Sequence, residues 1–135
     1  MRYVGLKLQK IDGEKFSEPK GGNIKVDSNF NLGKIKLESE LGVNKEKPIF
    51  SFEFNYSILY EDFAKISFKG TIFVEIDDKK LIKELEREEP RSNDAELRKL
   101  ILDVVLAKTH VESLHLEEKL NLPFHIQSPR VKFEN

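Results

Sequence analysis

The side chains that most often perform chemistry are few in this sequence, and their spacing matches no common catalytic or metal-binding pattern. The three histidines, His110, His115 and His125, lack the spacing of zinc ligands. Glu112 and His115 form a single Glu-x-x-His pair, whereas a di-iron bundle needs two such pairs on facing helices. We therefore expect no metal site, and no metal requirement for folding.

The sequence also lacks a nucleophile motif and a phosphate-binding loop. Ser113 and Ser128 lie outside the Gly-x-Ser-x-Gly pattern of a nucleophile elbow. Gly21 and Gly22 fall in a loop between two predicted strands rather than before a helix, which is typical of a flexible turn. The sequence therefore predicts a binding protein without a cofactor rather than an enzyme. A deep pocket with converging polar groups would instead favour a small-molecule enzyme.

Composition predicts one cytoplasmic domain over residues 1–135. Lys and Arg total 23 against 24 Asp and Glu, so there is no general basic footprint for a nucleic-acid backbone. The absence of cysteine excludes disulfides and thiolate zinc sites and fits a reducing compartment. The longest apolar run, Val104–Ala107, is too short to span a bilayer, and Met1–Tyr3 leads into an alternating segment without a signal core. We expect neither nucleic-acid binding nor membrane insertion.

Alternating apolar residues predict four strands. Leu6 and Leu8 mark the first strand, which is expected to end at the turn-prone Asp12–Gly13. The second strand changes the parity of its apolar residues just after Gly33, which predicts a β-bulge. The third and fourth strands repeat one pattern around the short turn Glu61–Asp62, so they should form a hairpin. Their apolar residues are Phe50, Phe52, Phe54, Tyr56, Ile58, Tyr60, Ile66, Phe68, Ile72, Val74 and Ile76.

A helical period follows the strands. A short helix, stopped by Pro90, is marked by Leu81, Ile82 and Leu85. A long helix begins near Asn93, which forms a capping-box variant with Glu96, and ends at Pro123. Its main apolar stripe consists of Leu97, Leu100, Ile101, Val104, Ala107, Val111 and Leu114. Three more apolar residues lie off this stripe and predict an interface with a second subunit: Leu102, Val105 and Leu106.

These elements predict an α+β fold in which a four-stranded antiparallel sheet packs on a long C-terminal helix. A helix about 10 Å wide covers only about half of a four-stranded sheet about 19 Å wide. The remaining aromatic surface needs a partner, such as another subunit, the segment after the helix or a bound chain. For any one phenylalanine, ordinary core packing is the alternative interpretation.

Several local patterns occur in an order that resembles the SecB family of export chaperones and its archaeal SecB-like relatives. Gln9–Ile11 followed by Phe16 and Pro19 looks like the opening strand and crossover loop of the family. Phe68–Phe73, in which Gly70 precedes an Ile-Phe pair, is similar to its fourth strand. Leu122–Pro123, followed by Ser128–Pro129 and Val131, resembles the two proline pairs after its long helix. The resemblance covers most of the chain.

The resemblance implies a homotetramer, built as a dimer of dimers with the long helices at its central interface. Bacterial members continue into a second helix and an acidic, metal-binding tail that docks the SecA motor, and they are more acidic. This sequence ends at Asn135 and is near neutral. We therefore do not expect a SecA-type motor as a partner.

The resulting functional prediction is an ATP-independent holdase that binds unfolded or preprotein polypeptides in apolar grooves, with a link to protein export implied by the resemblance. The candidate groove residues are Phe16, Phe30, Phe50, Phe52, Phe63, Phe124 and Ile126. The alternative is an adaptor, or a chaperone associated with a toxin–antitoxin pair, whose apolar surface fits one dedicated protein. The breadth of clients separates the two.

Overall fold

A computed structural model describes residues 1–18, 24–38, 46–87 and 94–123 of the chain. It contains four strands and two helices: β1 (Arg2–Lys15), β2 (Val26–Leu37), β3 (Ile49–Tyr60), β4 (Ala64–Glu75), α1 (Lys79–Leu85) and α2 (Ala95–Lys119). The strands form one antiparallel sheet in the order β1-β4-β3-β2. This arrangement confirms the predicted α+β fold. Neither helix in the described ranges is long and apolar enough to cross a membrane.

β3 and β4 form the hairpin that their sequence pattern predicts, and this hairpin is the centre of the sheet. Its turn places Glu61 at a φ of 48°, and Tyr60 pairs with Ala64 across it. Every second residue of both strands is buried on the face that packs on the helices, from Phe50 to Tyr60 and from Ala64 to Val74. Most residues of opposite parity are polar and form the other face of the sheet, which we call the outer face.

The predicted bulge in β2 is confirmed, whereas the predicted end of β1 is wrong. The pairing of β2 with β3 shifts register between Leu32 and Ile35, on either side of Gly33. In contrast, β1 continues through Asp12–Gly13 to Lys15, and Gly13 pairs with Ile66. A Cβ atom on Gly13 would lie 3.2 Å from a methyl carbon of Leu120, so this glycine lets the end of α2 approach the strand closely.

Helix α2 starts one residue later than predicted and buries a different row of side chains. Its N-cap is Asp94, whose carboxylate accepts a hydrogen bond of 2.9 Å from the backbone N–H of Leu97, and Asn93 lies outside the described residues. The buried row advances in steps of four residues: Leu97, Ile101, Val105, Thr109, Ser113 and Glu117. Such a row is inclined to the helix axis, so the contact does not follow the straight stripe expected from the sequence. Val111, which belonged to that stripe, is 56% exposed.

The C-terminal end of α2 is fixed to the sheet by a buried polar contact. The hydroxyl of Tyr60 donates a hydrogen bond to the carboxylate of Glu117, and both side chains are fully buried. The helix ends in a Schellman motif, in which the backbone N–H of Leu122 donates to the carbonyl of Glu117 over 2.8 Å and Asn121 has a φ of 56°. Burial, the hydrogen bond to Glu117 and the negative charge of Glu117 all raise the pKa of Tyr60. Burial and the same charge raise the pKa of Tyr56.

Candidate functional site

The central strands of the sheet are covered on the helix side, but the edge strands are only partly covered. The helix-facing side chains of β3 and β4 are buried, whereas those of β1 and β2 are half-buried or, as for Ile11 and Leu37, exposed. The half-buried residues of the edge strands include Leu6, Leu8, Val26, Phe30 and Leu32. This difference follows from the widths of one helix and four strands, and it leaves apolar surface along both edges of the sheet.

A groove lies where β2 meets the N-terminal half of α2. It has a volume of about 540 Å³ and is lined by Phe30, Asn31, Leu32, Arg98 and Leu102; we call it the β2–α2 groove. The ring of Phe30 stacks on the buried ring of Phe54, with centroids 6.3 Å apart and an interplanar angle of 16°. Leu102 is 36% exposed on the opposite wall. The groove therefore has an apolar floor with a rigid aromatic ring and two polar residues at its margin.

The groove runs beside an open strand edge. Within the described residues, β2 is hydrogen-bonded to β3 on one side and to no strand on the other. In an edge strand, alternate residues direct their backbone N–H and C=O groups away from the sheet, where an added strand can pair with them. Extended peptides often bind in this way, with main-chain hydrogen bonds for affinity and pockets for alternate side chains. The β2–α2 groove combines both features.

Of the predicted groove residues, the structure places only Phe30 in the β2–α2 groove. Phe50, Phe52 and Phe63 are 0%, 1% and 3% exposed, so their side chains belong to the core and are withdrawn as lining residues. The reason is that β3 is a central strand, whose helix-facing side chains are fully covered. Phe16 is 56% exposed, but it follows β1, at the opposite edge of the sheet. Phe124 and Ile126 lie outside the described residues.

The three predicted interface residues occupy three different environments. Val105 is fully buried in the chain's own core, so it offers no surface to a second subunit and is also withdrawn. Leu106 is half-buried, and Leu102 lines the β2–α2 groove. Sequence reasoning missed Leu32 and Arg98 as lining residues. The available signals were the shared parity of Phe30 with Leu32, and the position of Arg98 one helical turn before Leu102.

In the part of the chain that the structure describes, the candidate metal ligands are not gathered into one cluster. In the described ranges, no three His, Asp or Glu side chains converge in a way that could hold a metal ion. The hydroxyl of Ser113 donates to the backbone carbonyl of His110 over 2.8 Å, within the same helix. His125 lies outside the described residues. The β2–α2 groove presents apolar side chains beside the open backbone edge of β2.

Comparison with solved structures supports a SecB-like fold. One similar solved structure is that of the Mycobacterium tuberculosis Rv1957 SecB-like chaperone in complex with a ChAD peptide from the Rv1956 HigA1 antitoxin. The similarity has a TM-score of 0.53, covers 96% of this chain and 92% of that chain, and occurs at 12% sequence identity. No protein-family model matches the sequence, and no curated protein matches it. The similarity is thus one of fold.

Proposed function

We propose that this chain is a nucleotide-independent molecular chaperone that holds extended segments of unfolded proteins in the β2–α2 groove. The observation that carries this proposal is the position of the groove, in which Phe30, Leu32 and Leu102 lie beside the open edge of β2. The similarity to a SecB-like chaperone in complex with a peptide supports it. The proposed role needs no catalytic residue, because binding alone prevents aggregation.

In the proposed mechanism, a client segment pairs with the outward backbone groups of β2 and places alternate side chains in the groove. Main-chain pairing reads no sequence, so the site accepts different clients. Each fully buried aliphatic or aromatic client side chain contributes about 1.5–3 kcal/mol. A single groove of this size therefore binds weakly, and several linked grooves are needed for tight holding.

The proposal accordingly includes a homo-oligomer, with the tetramer of the SecB family as the expected form. Linked grooves on one oligomer raise the affinity through effective concentration, without new contacts at any one site. Leu102 and Leu106 are the remaining candidates for subunit contacts, since both retain exposed surface. The client stays unfolded for a later step, such as export, and the proposal includes no SecA-type motor.

A second candidate function is a chaperone dedicated to one partner, such as an antitoxin. The observation that favours it is that the similar SecB-like chaperone is in complex with an antitoxin peptide. The two functions use the same groove and differ in client range. A general holdase should suppress aggregation of several unrelated unfolded proteins, whereas a dedicated chaperone should bind one partner tightly and ignore the rest.

The experiment that tests the site compares Leu102→Glu with Val111→Glu in assays of client aggregation without nucleotide. Both residues are exposed apolar positions on α2, but their spacing of nine residues puts them on opposite faces of the helix. Leu102→Glu should weaken client binding about tenfold, because it replaces apolar surface in the groove with a charge. Val111→Glu should change it by less than about twofold.

Light scattering of each variant separates loss of the groove from loss of assembly. If Leu102→Glu remains assembled and still holds every client as well as the wild-type protein, the groove is not the client site. If it only dissociates the oligomer, Leu102 is a subunit contact, and the client site lies elsewhere.

A further inference from the structure

The outer face of the sheet, turned away from α2, has its own concavity of about 550 Å³. Side chains from all four strands line it: Lys7, Gln9, Lys34, Lys36, Ser51, Glu53, Thr71 and Phe73, with Glu38 at the end of β2. Lys7 stands over the ring of Phe73, with its ammonium nitrogen 5.9 Å from the ring centroid. We call this region the lysine cavity. It is separate from the β2–α2 groove, because it lies on the opposite face of the sheet.

The strand register gathers further positive charge beside the lysine cavity. Lys10 of β1 pairs directly with Lys69 of β4, on the outer face and next to Asn55 of β3. Like charges directly opposite each other destabilise a sheet. A negatively charged partner bound beside these lysines would offset their mutual repulsion.

The described residues do not neutralise these five lysines. Ion pairs among the described residues join Met1 to Asp77, Arg2 to Glu75, Lys15 to Glu18 and Lys25 to Asp27. Each of these pairs lies outside the cavity. One of the two glutamates in the cavity, Glu38, accepts a hydrogen bond of 2.9 Å from the hydroxyl of Ser51. Five lysines thus face two glutamates. At the other end of the outer face, Asp12 and Glu14 lie near Lys65, and Asp27 pairs with Lys25, so the positive charge is concentrated at the end of the face that holds the cavity.

We infer that the lysine cavity binds a short acidic segment of a partner protein that also carries an apolar side chain. From β1 to β2 the cavity spans about 14 Å, the width of three strand spacings, which an extended segment of about four or five residues would cross. Its carboxylates would pair with Lys7, Lys34 and Lys36, and its apolar side chain would contact Phe73. A nucleic acid fits less well, because its continuous phosphate backbone would extend beyond the basic cavity, and a chain with a net charge of -1 offers no general basic footprint to hold it.

The test measures binding of a fluorescein-labelled peptide of about eight residues, built from glutamate and leucine, by fluorescence anisotropy. The cavity variant is Lys7→Gln/Lys34→Gln/Lys36→Gln. The matched control is Lys65→Gln/Lys79→Gln/Lys80→Gln, which removes equal charge from exposed lysines outside the cavity. The cavity variant should bind about tenfold more weakly than the wild-type protein, and the control should differ by less than about twofold. Raising the salt from about 50 mM to about 300 mM should weaken the wild-type complex.

Further measurements distinguish the lysine cavity from the β2–α2 groove, from a nucleic-acid site and from a contact between copies of this chain. Leu102→Glu should leave acidic-peptide binding intact, so the outcome does not depend on the proposed client groove. A peptide with glutamine in place of glutamate should bind at least about tenfold more weakly. Equal loss in the cavity and control variants, tighter binding of a single-stranded oligonucleotide of similar charge, or salt-sensitive self-association that blocks the peptide would each overturn the proposal.

Discussion

The buried contact between Tyr60 and Glu117 should be one of the strongest single determinants of stability. Both side chains are fully buried, and the contact joins the end of β3 to the end of α2, 57 residues apart in sequence. Tyr60→Phe keeps the ring and removes only the donor. A hydrogen bond to a charged group contributes about 1.5–3 kcal/mol, so the variant should lose about that much free energy of unfolding. For a domain of this size, the melting temperature should fall by about 5–12 °C.

A double-mutant cycle with Glu117→Met measures the contact itself by urea unfolding. Each single change leaves the other polar group buried without this partner, whereas the double variant replaces both with apolar groups. The double variant should therefore be more stable than the sum of the single losses predicts, by about 1–2 kcal/mol. Tyr56→Phe is the control, because it removes another buried hydroxyl near Glu117 and leaves the hydrogen bond between Tyr60 and Glu117 in place. Strict additivity of the two single losses would refute the coupling.

The same contact predicts a loss of stability at alkaline pH. The pKa values of Tyr60 and Tyr56 are raised in the folded chain, so these hydroxyls keep their protons after the unfolded chain has begun to lose them near pH 10. The contribution of these tyrosines to the free energy of unfolding is fully present below about pH 10. Above that pH it falls by up to about 1.4 kcal/mol per pH unit for each tyrosine. Tyr60→Phe should show a shallower decline between about pH 10 and pH 11. If the free energy of unfolding of Tyr60→Phe declines with pH as steeply as that of the wild-type protein, the environment assigned to Tyr60 is wrong.

Five further substitutions, two of them controls, test the packing and the N-cap of α2. Val105→Glu should unfold the chain, since an unpaired charge in the core costs about 3–5 kcal/mol, whereas Leu102→Glu should change the melting temperature by only a few degrees. Gly70→Ala should be strongly destabilising, because its Cβ would overlap the Lys7 carbonyl oxygen, while Gly5→Ala, with open space around it, should be nearly neutral. Asp94→Ala should cost about 1 kcal/mol by removing the N-cap of α2, measured by thermal melts followed by circular dichroism.

The sheet could be predicted from the sequence because its information is local. The alternation of apolar and polar residues along β3 and β4 identifies the hairpin. The apolar positions change parity after Gly33, and the observed register shift falls there, between Leu32 and Ile35. The end of β1 could not be predicted in this way. Asp12–Gly13 has the composition of a turn, but pairing with β4 and the closeness of α2 hold it extended, and both constraints come from distant parts of the chain.

The helix and the site depend on contacts that the sequence does not reveal. Thr109, Ser113 and Glu117 look like surface residues, yet all three are buried, and the partner of Glu117 is on β3. The candidate phenylalanines on the strands have similar alternating sequence contexts. The order of the strands in the sheet determines which of them stay accessible. Phe30 lies on an edge strand and remains accessible, whereas Phe52 lies on a central strand and is buried. Strand order is a long-range property that periodicity alone does not determine.

The most direct test of the client site is hydrogen exchange of the backbone amides, with and without an unfolded client. A client strand added to β2 would protect amides that β3 leaves unpaired, at alternate positions around Asn29–Leu32, while the β3–β4 hairpin is already protected. We predict new protection in β2 and in α2 around Arg98–Leu102 for several unrelated clients. Protection confined to β1, with no change in β2 or α2, would contradict the proposed β2–α2 groove.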